Sequence, residues 1–150
     1  VAVTIAQICD AIETTLSAAT GITTGQSYDE LSEGLPAADL PLIQVYWEAL
    51  AMDPTGGTDR GTFQAGRRQK LITIYVDLFA SQRSHVGEDN AAVVAAVDAL
   101  LDVLEAQDTK DYFSRTGIKA WQLEECRRGV FPYSQATYVG ARFTLSIWVY

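Results

Sequence analysis

The chain has 150 residues, of which 48% are hydrophobic and 20% charged, with eleven glycines and four prolines. Such a composition suits one folded domain, 1–150, with a core of its own, and excludes disordered and fibrous classes. A net charge of −8 argues against a protein whose main task is to grip nucleic acid, since that affinity comes from Lys and Arg neutralising phosphates.

No apolar run approaches the roughly 20 residues of a membrane span. The N-terminal "VAVTIAQICDAIETT" has no basic region ahead of its apolar residues, so no signal peptide is expected and synthesis is expected in the cytosol. The first predicted element is "TIAQICDAIETTLSAAT", in which Ile5, Ile8, Cys9, Ile12 and Leu16 form one helical stripe, with Thr4 as N-cap and Gly21 as stop. "GITTGQSYDELSEGLPAADLP" follows as a surface connection with a helical turn around Tyr28 to Ser32.

"PLIQVYWEAL" alternates as a strand, with Ile43, Val45, Trp47 and Ala49 opposing Leu42, Gln44, Tyr46 and Glu48. "RQKLITIYVDLFA" is its partner: Ile72, Ile74, Val76 and Leu78 share one face, while Thr73, Tyr75, Asp77 and Phe79 share the other. Between them "LAMDPTGGTDRGTFQAGRRQKL" is too long and too polar for a core element, so Leu50 to Arg68 is expected to form the tip of a long hairpin arm. "HVGEDNAAVVAAVDALLDVLEAQD" is a second helix with Val93, Val94, Val97, Leu100, Leu101 and Leu104 on one side, started by Asp89 or a nearby Gly or Ser. "GIKAWQLEECRRGVFPYS" and "QATYVGARFTLSIWVY" read as two more strands, with "GVFPYSQ" as the turn.

The expected architecture is α+β in the order α-β-β-α-β-β: a four-stranded, largely antiparallel sheet with both helices on one face. The other sheet face would then carry Tyr46 or Trp47, Tyr75, Phe79, Trp148 and Tyr150 among Thr, Asp and Arg, a mixture typical of a contact surface.

Motifs for chemistry are sparse. His85 is the single histidine and stands in a polar turn without the setting of a nucleophile system. No metal-ligand spacing occurs, and Cys9 and Cys126, in different elements, read as reduced thiols filling packing space. "DPTGGTDRGTFQAGRRQK" lacks the GxxxxGK[ST] pattern and joins two strands instead of opening a helix, which weighs against a phosphate loop. Glu124 and Glu125 would point to opposite sides of a strand, so they do not form an acid and nucleophile pair. No enzyme, cofactor or metal is expected. The feature that stands out is a basic concentration, Arg60, Arg67, Arg68 and Lys70, in and beside the arm of an otherwise acidic chain, suited to docking on an acidic surface.

Taken together, the opening helix, "LPLIQVYWEA", the long tip, "RRQKLITIYVDLFA", "DNAAVVAAVDALLDVLEA" and "GARFTLSIWVY" resemble the tail-terminator (tail-completion) proteins of long-tailed bacteriophages over nearly the whole chain. The resemblance implies a structural virion protein, made in the host cytoplasm, that forms a ring, usually a hexamer, at the head-proximal end of the tail tube. Its implied partners are itself, the tail tube protein and a neck or head-completion protein, with DNA passing through without specific binding. The interface is then expected to use Arg60, Phe63, Arg67 and Arg68 in the arm and Tyr75, Trp148 and Tyr150 on the sheet face. A neck adaptor of the head–tail connector is the alternative within this setting, and a small-ligand-binding enzyme the alternative outside it.

Overall fold

The computed structural model describes residues 3–32, 34–52, 70–83, 86–107, 112–133 and 136–149. Among these, two helices, α1 (Ile5–Ser17) and α2 (Val86–Glu105), accompany five strands: β1 (Thr24–Gln26), β2 (Leu42–Met52), β3 (Lys70–Gln82), β4 (Ile118–Tyr133) and β5 (Ala136–Val149). The strands form one sheet in the order β1-β2-β3-β5-β4, antiparallel throughout except for the parallel β1–β2 pair. The fold is α+β, as the periodicities imply, with a fifth strand that they did not show.

Local chemistry explains the helix start. Thr4 and Gln7 form a reciprocal capping box, Oγ1 of Thr4 accepting from the Gln7 amide at 3.2 Å and Oε1 of Gln7 accepting from the Thr4 amide at 3.1 Å. Such a cap contributes about 1 kcal/mol. Ile8, Cys9, Ile12 and Leu16 then lie buried against one sheet face, together with Ala96, Leu100 and Leu104 of α2. The sheet presents Ile43, Val45, Ile72, Ile74, Val76, Leu78, Ala141, Phe143, Leu145, Ile147 and Val149 to them. Each large side chain hidden in this layer contributes roughly 1.5–3 kcal/mol. In α2 the apolar side is narrower than expected: Val94 is 58% exposed and Leu101 only partly buried; the helix begins at Val86, beside Gly87 and not at Asp89.

Four expectations need correction. The four-stranded sheet has five strands, because β1 is only three residues long and contains Gly25, too short to display a period. The connection after α1 runs over the surface and turns at Tyr28–Asp29, the Glu30 amide donating to the Ser27 carbonyl at 2.9 Å, as expected, but it is not plain. It buries Ser27 and Leu35 and makes a 3-10 turn at Ala37–Asp39 before entering β2. Trp47 does not continue the buried face of Ile43 and Val45: it pairs with Ile74, next to a bulge between Trp47 and Ala49, and stays 49% exposed. Finally, "GVFPY" is no turn, since β4 continues through Gly129 to Tyr133, and bulges after Ile118 and Leu123 place Ile118, Trp121 and Leu123 on one face.

Gly140 shows how tightly the central strands meet. It pairs with Phe79 beside a bulge in β3, and a Cβ there would run into the carbonyl oxygen of Leu78. Backbone cannot swing aside as a flexible side chain can. Gly140→Ala is therefore expected to lower stability by about 2 kcal/mol in urea denaturation, and an unchanged midpoint would contradict this packing.

Candidate functional site

The candidate site is the sheet face turned away from the helices. Alternation along the strands brings Leu42, Gln44 and Tyr46 of β2, Tyr75, Asp77 and Phe79 of β3, and Tyr138, Arg142, Thr144 and Trp148 of β5 to it. The register of β4 adds Glu125, Arg127, Gly129 and Phe131.

One end of this face is closed. Leu35, Leu42, Phe79 and Tyr138 form a second small core, with Leu40, Phe131 and Tyr133 packed on it. Phe79 is the hub, its ring meeting Phe131, Tyr133 and Tyr138 edge-on at 5.5, 5.7 and 5.9 Å between centroids. The phenols tie the 27–41 segment down: Tyr138 donates to the Leu35 carbonyl at 3.0 Å and Tyr133 to the Ser32 carbonyl. Gln44 bridges Gln26 at 3.0 Å and Tyr133 at 3.4 Å, so the end of β4 reaches across the sheet to the β2 side.

Beside that cluster lies a charged network. Arg142 grips Asp77 with two hydrogen bonds, Nε to Oδ1 at 2.7 Å and Nη2 to Oδ2 at 3.2 Å, and Tyr46 donates to Oδ2 at 2.5 Å. Arg142 Nη2 also donates to the Tyr46 hydroxyl at 3.2 Å, while its guanidinium stacks over the Tyr75 ring, 4.6 Å from the centroid. Tyr46 and Tyr75 meet edge to face at 5.9 Å.

Asp77 is only 5% exposed, so this carboxylate depends on its partners for solvation. Burial, with the hydrogen bond to Asp77 and its charge, pushes the Tyr46 phenol well above its ordinary range. The hydrogen bonds to Asp77 likewise hold the Arg142 guanidinium above its usual value against the opposing effect of burial. Both carboxylate oxygens and the phenol are engaged within the network. Its chemistry is that of a pre-set platform, rigid and polar, flanked by aromatic rings.

On the β4 side an open groove of about 270 Å³ runs past Tyr75, Arg127, Arg128, Phe131, Arg142 and Thr144. Arg127 pairs with Glu125 at 2.7 Å in a pair whose side chains are 79% and 49% exposed. Exposed pairs of this kind contribute little and re-form readily. At the opposite sheet edge, Asp10 of α1 and Asp29 and Glu30 after β1 are exposed, with carboxylate oxygens within 4.8 Å of one another, close enough to share a cation. Water competes strongly for such an ion. Burial, Glu30 and Asp10 together push the nearby Glu13 carboxyl upward.

Cys9 is buried, its thiol pushed up to about 12 by desolvation and then by Asp10. Cys126 is exposed and does not fill packing space as expected. Both are free thiols.

Of the expected interface residues, Tyr75 lies at the centre of the platform, held under Arg142. Trp148 shares its face but pairs with Leu71, four residues along β3 from Tyr75, roughly 13 Å at ~3.3 Å per residue. The structure does not bring these two together. Arg60, Phe63, Arg67, Arg68 and Tyr150, and also His85, lie outside the described residues. Sequence reasoning placed Tyr138 on the face of Arg142 and Trp148, as found, but missed Phe131 and Tyr133 as part of it, and the Arg142–Asp77–Tyr46 network as a unit. The available signal was the shared alternation of Asp77 and Arg142, opposite charges on facing strands. No protein-family model matches the chain, and no curated protein matches it in sequence.

Proposed function

We propose that the protein is a structural, self-assembling component of a long-tailed phage virion, a tail terminator that forms a ring on the head-proximal end of the tail tube and joins it to the neck. The observation that carries the reading is β4. It is a sixteen-residue strand at the sheet edge, exposed along most of its length, with backbone groups on its outer side that a protein must cover or pair. A second copy is the natural cover, and a head-to-tail contact of this kind closes into a ring when its rotation closes.

The platform around Arg142 supports the same reading, because a face whose polar groups are already satisfied can be buried against a partner at little desolvation cost. The basic arm between β2 and β3, with Arg60, Phe63, Arg67 and Arg68, belongs to the proposal as a docking element on a neighbouring acidic surface.

Electron microscopy of the purified protein, alone and mixed with isolated tail tubes, tests it. Rings capping one tube end are expected. Binding to the portal side instead would assign it to the neck, and a protein that stays monomeric and leaves tubes undecorated would overturn the proposal.

A further inference from the structure

We infer that the arginine-lined groove at the β4 edge takes an acidic surface of a second copy, the Asp10, Asp29 and Glu30 group at the β1 edge. The inference rests on the self-assembly reading above and says which surfaces meet.

The groove supplies shape and charge. Arg127, Arg128 and Arg142 line it with Phe131 and one carboxylate, Glu125, on a chain that carries a net charge of −8. Arg128 makes no ion pair with any described residue, and the exposed Arg127–Glu125 pair can be exchanged for a better one. Arg142 is committed to Asp77. The β4 edge therefore offers Arg128, which has no ion pair among the described residues, and Arg127, whose exposed pair can exchange; the register sets Arg127 opposite Arg142 and Arg128 opposite Ala141, so the two flank the edge from its two faces.

The acidic group supplies the complement. Asp10, Asp29 and Glu30 are exposed, and two different elements hold them within 4.8 Å of one another. Ser27 Oγ fixes Asp10 by donating to Oδ1 at 2.6 Å. Glu13 stands beside them, its carboxyl pushed upward by burial first and then by Glu30 and Asp10.

Strand order decides the geometry. β1 and β4 are the two outer strands of the sheet, so donor and acceptor surfaces sit on opposite edges of each subunit. A two-fold dimer buries one self-complementary patch, whereas surfaces on opposite edges connect head to tail and propagate. The contact would also cover the outer side of β4.

Reciprocal charge reversal tests this directly. One variant carries Arg127→Glu and Arg128→Glu, the other Asp29→Lys and Glu30→Lys. All four side chains project from exposed positions, so circular dichroism and melting should match the unsubstituted chain. In sedimentation velocity at low salt, each variant alone should associate at least about tenfold more weakly, because like charges then face each other. An equimolar mixture should recover the large species, since every contact in an alternating assembly again joins opposite charges. Misfolded chains could not produce that recovery.

If the unsubstituted protein assembles and both variants assemble equally well, or the mixture fails to recover, this contact is wrong while the ring reading stands. If the unsubstituted protein is monomeric at every concentration, both fall together.

Discussion

Arg142→Met should lower the stability of the fold by about 3 kcal/mol, measured by urea denaturation. The substitution keeps aliphatic bulk over Tyr75 and removes the charge. Asp77, 5% exposed, then keeps only the Tyr46 hydroxyl as its side-chain partner among the described residues, and a buried carboxylate stripped of its cation loses far more than a surface one. The figure sits at the low end of the range for broken buried pairs because the Arg142 side chain is 40% exposed and water can follow it in.

Replacing both partners, Arg142→Met with Asp77→Leu, should cost less than Arg142→Met alone, since no unpaired charge remains. A loss below about 1 kcal/mol in the single variant would mean that Asp77 is solvated as a surface acid and that the platform is not rigid. The same residue stacks over Tyr75 and lines the groove on the β4 side.

Phe113→Ala should cost about 3–5 kcal/mol. Phe113 is 1% exposed and lies between α2 and β4 in a 3-10 turn, at φ 55°, ψ 30°. A bulky residue in the left-handed region is strained by roughly 1–3 kcal/mol, so its packing must more than compensate. The compensation is visible: the ring joins the core under α1 and α2 and meets Trp121 edge-on at 5.4 Å.

Gln107 locks the arrangement from both sides. Its Oε1 accepts from the Phe113 amide at 2.9 Å, and its carbonyl accepts from Trp121 Nε1 at 3.0 Å. Removing the ring should therefore shift Trp121 fluorescence to the red as well as lower the urea midpoint. Phe113→Leu, which fills most of the space, should lose about half as much. Equal losses for both would show that the aromatic edge contact, and not volume, holds this end of the core.

Legibility differed from element to element for physical reasons. α1, β2, β3 and β5 were readable because each buries one continuous face, and burial on one face imposes a period on the residues that supply it. The polarity of Asp77 and Arg142 on the second face could be read from the same alternation. Their pairing could not, because it depends on which residues the β3–β5 register sets opposite each other. β4 was misjudged at both ends: its bulges break the period, and a mostly exposed edge strand has little burial to impose one.

The second small core was hidden for another reason. Leu35, Leu42, Phe79 and Tyr138 come from four segments: the β2–β3 register sets Leu42 opposite Phe79, β5 brings Tyr138, and only the path of the chain into β2 brings Leu35.

Sequence by itself determined the α+β class, the two helices, the antiparallel hairpins, and a chemistry dominated by acidic charge and aromatic surface, since these depend on local periodicity and composition. Tertiary structure alone decided that β5 lies inside the sheet with β4 at its edge, that Arg142, Asp77 and Tyr46 form one network, and that basic and acidic groups occupy opposite edges. Those outcomes rest on strand order and register, where contacts between residues far apart in the chain are selected by packing and not by the local pattern of either partner.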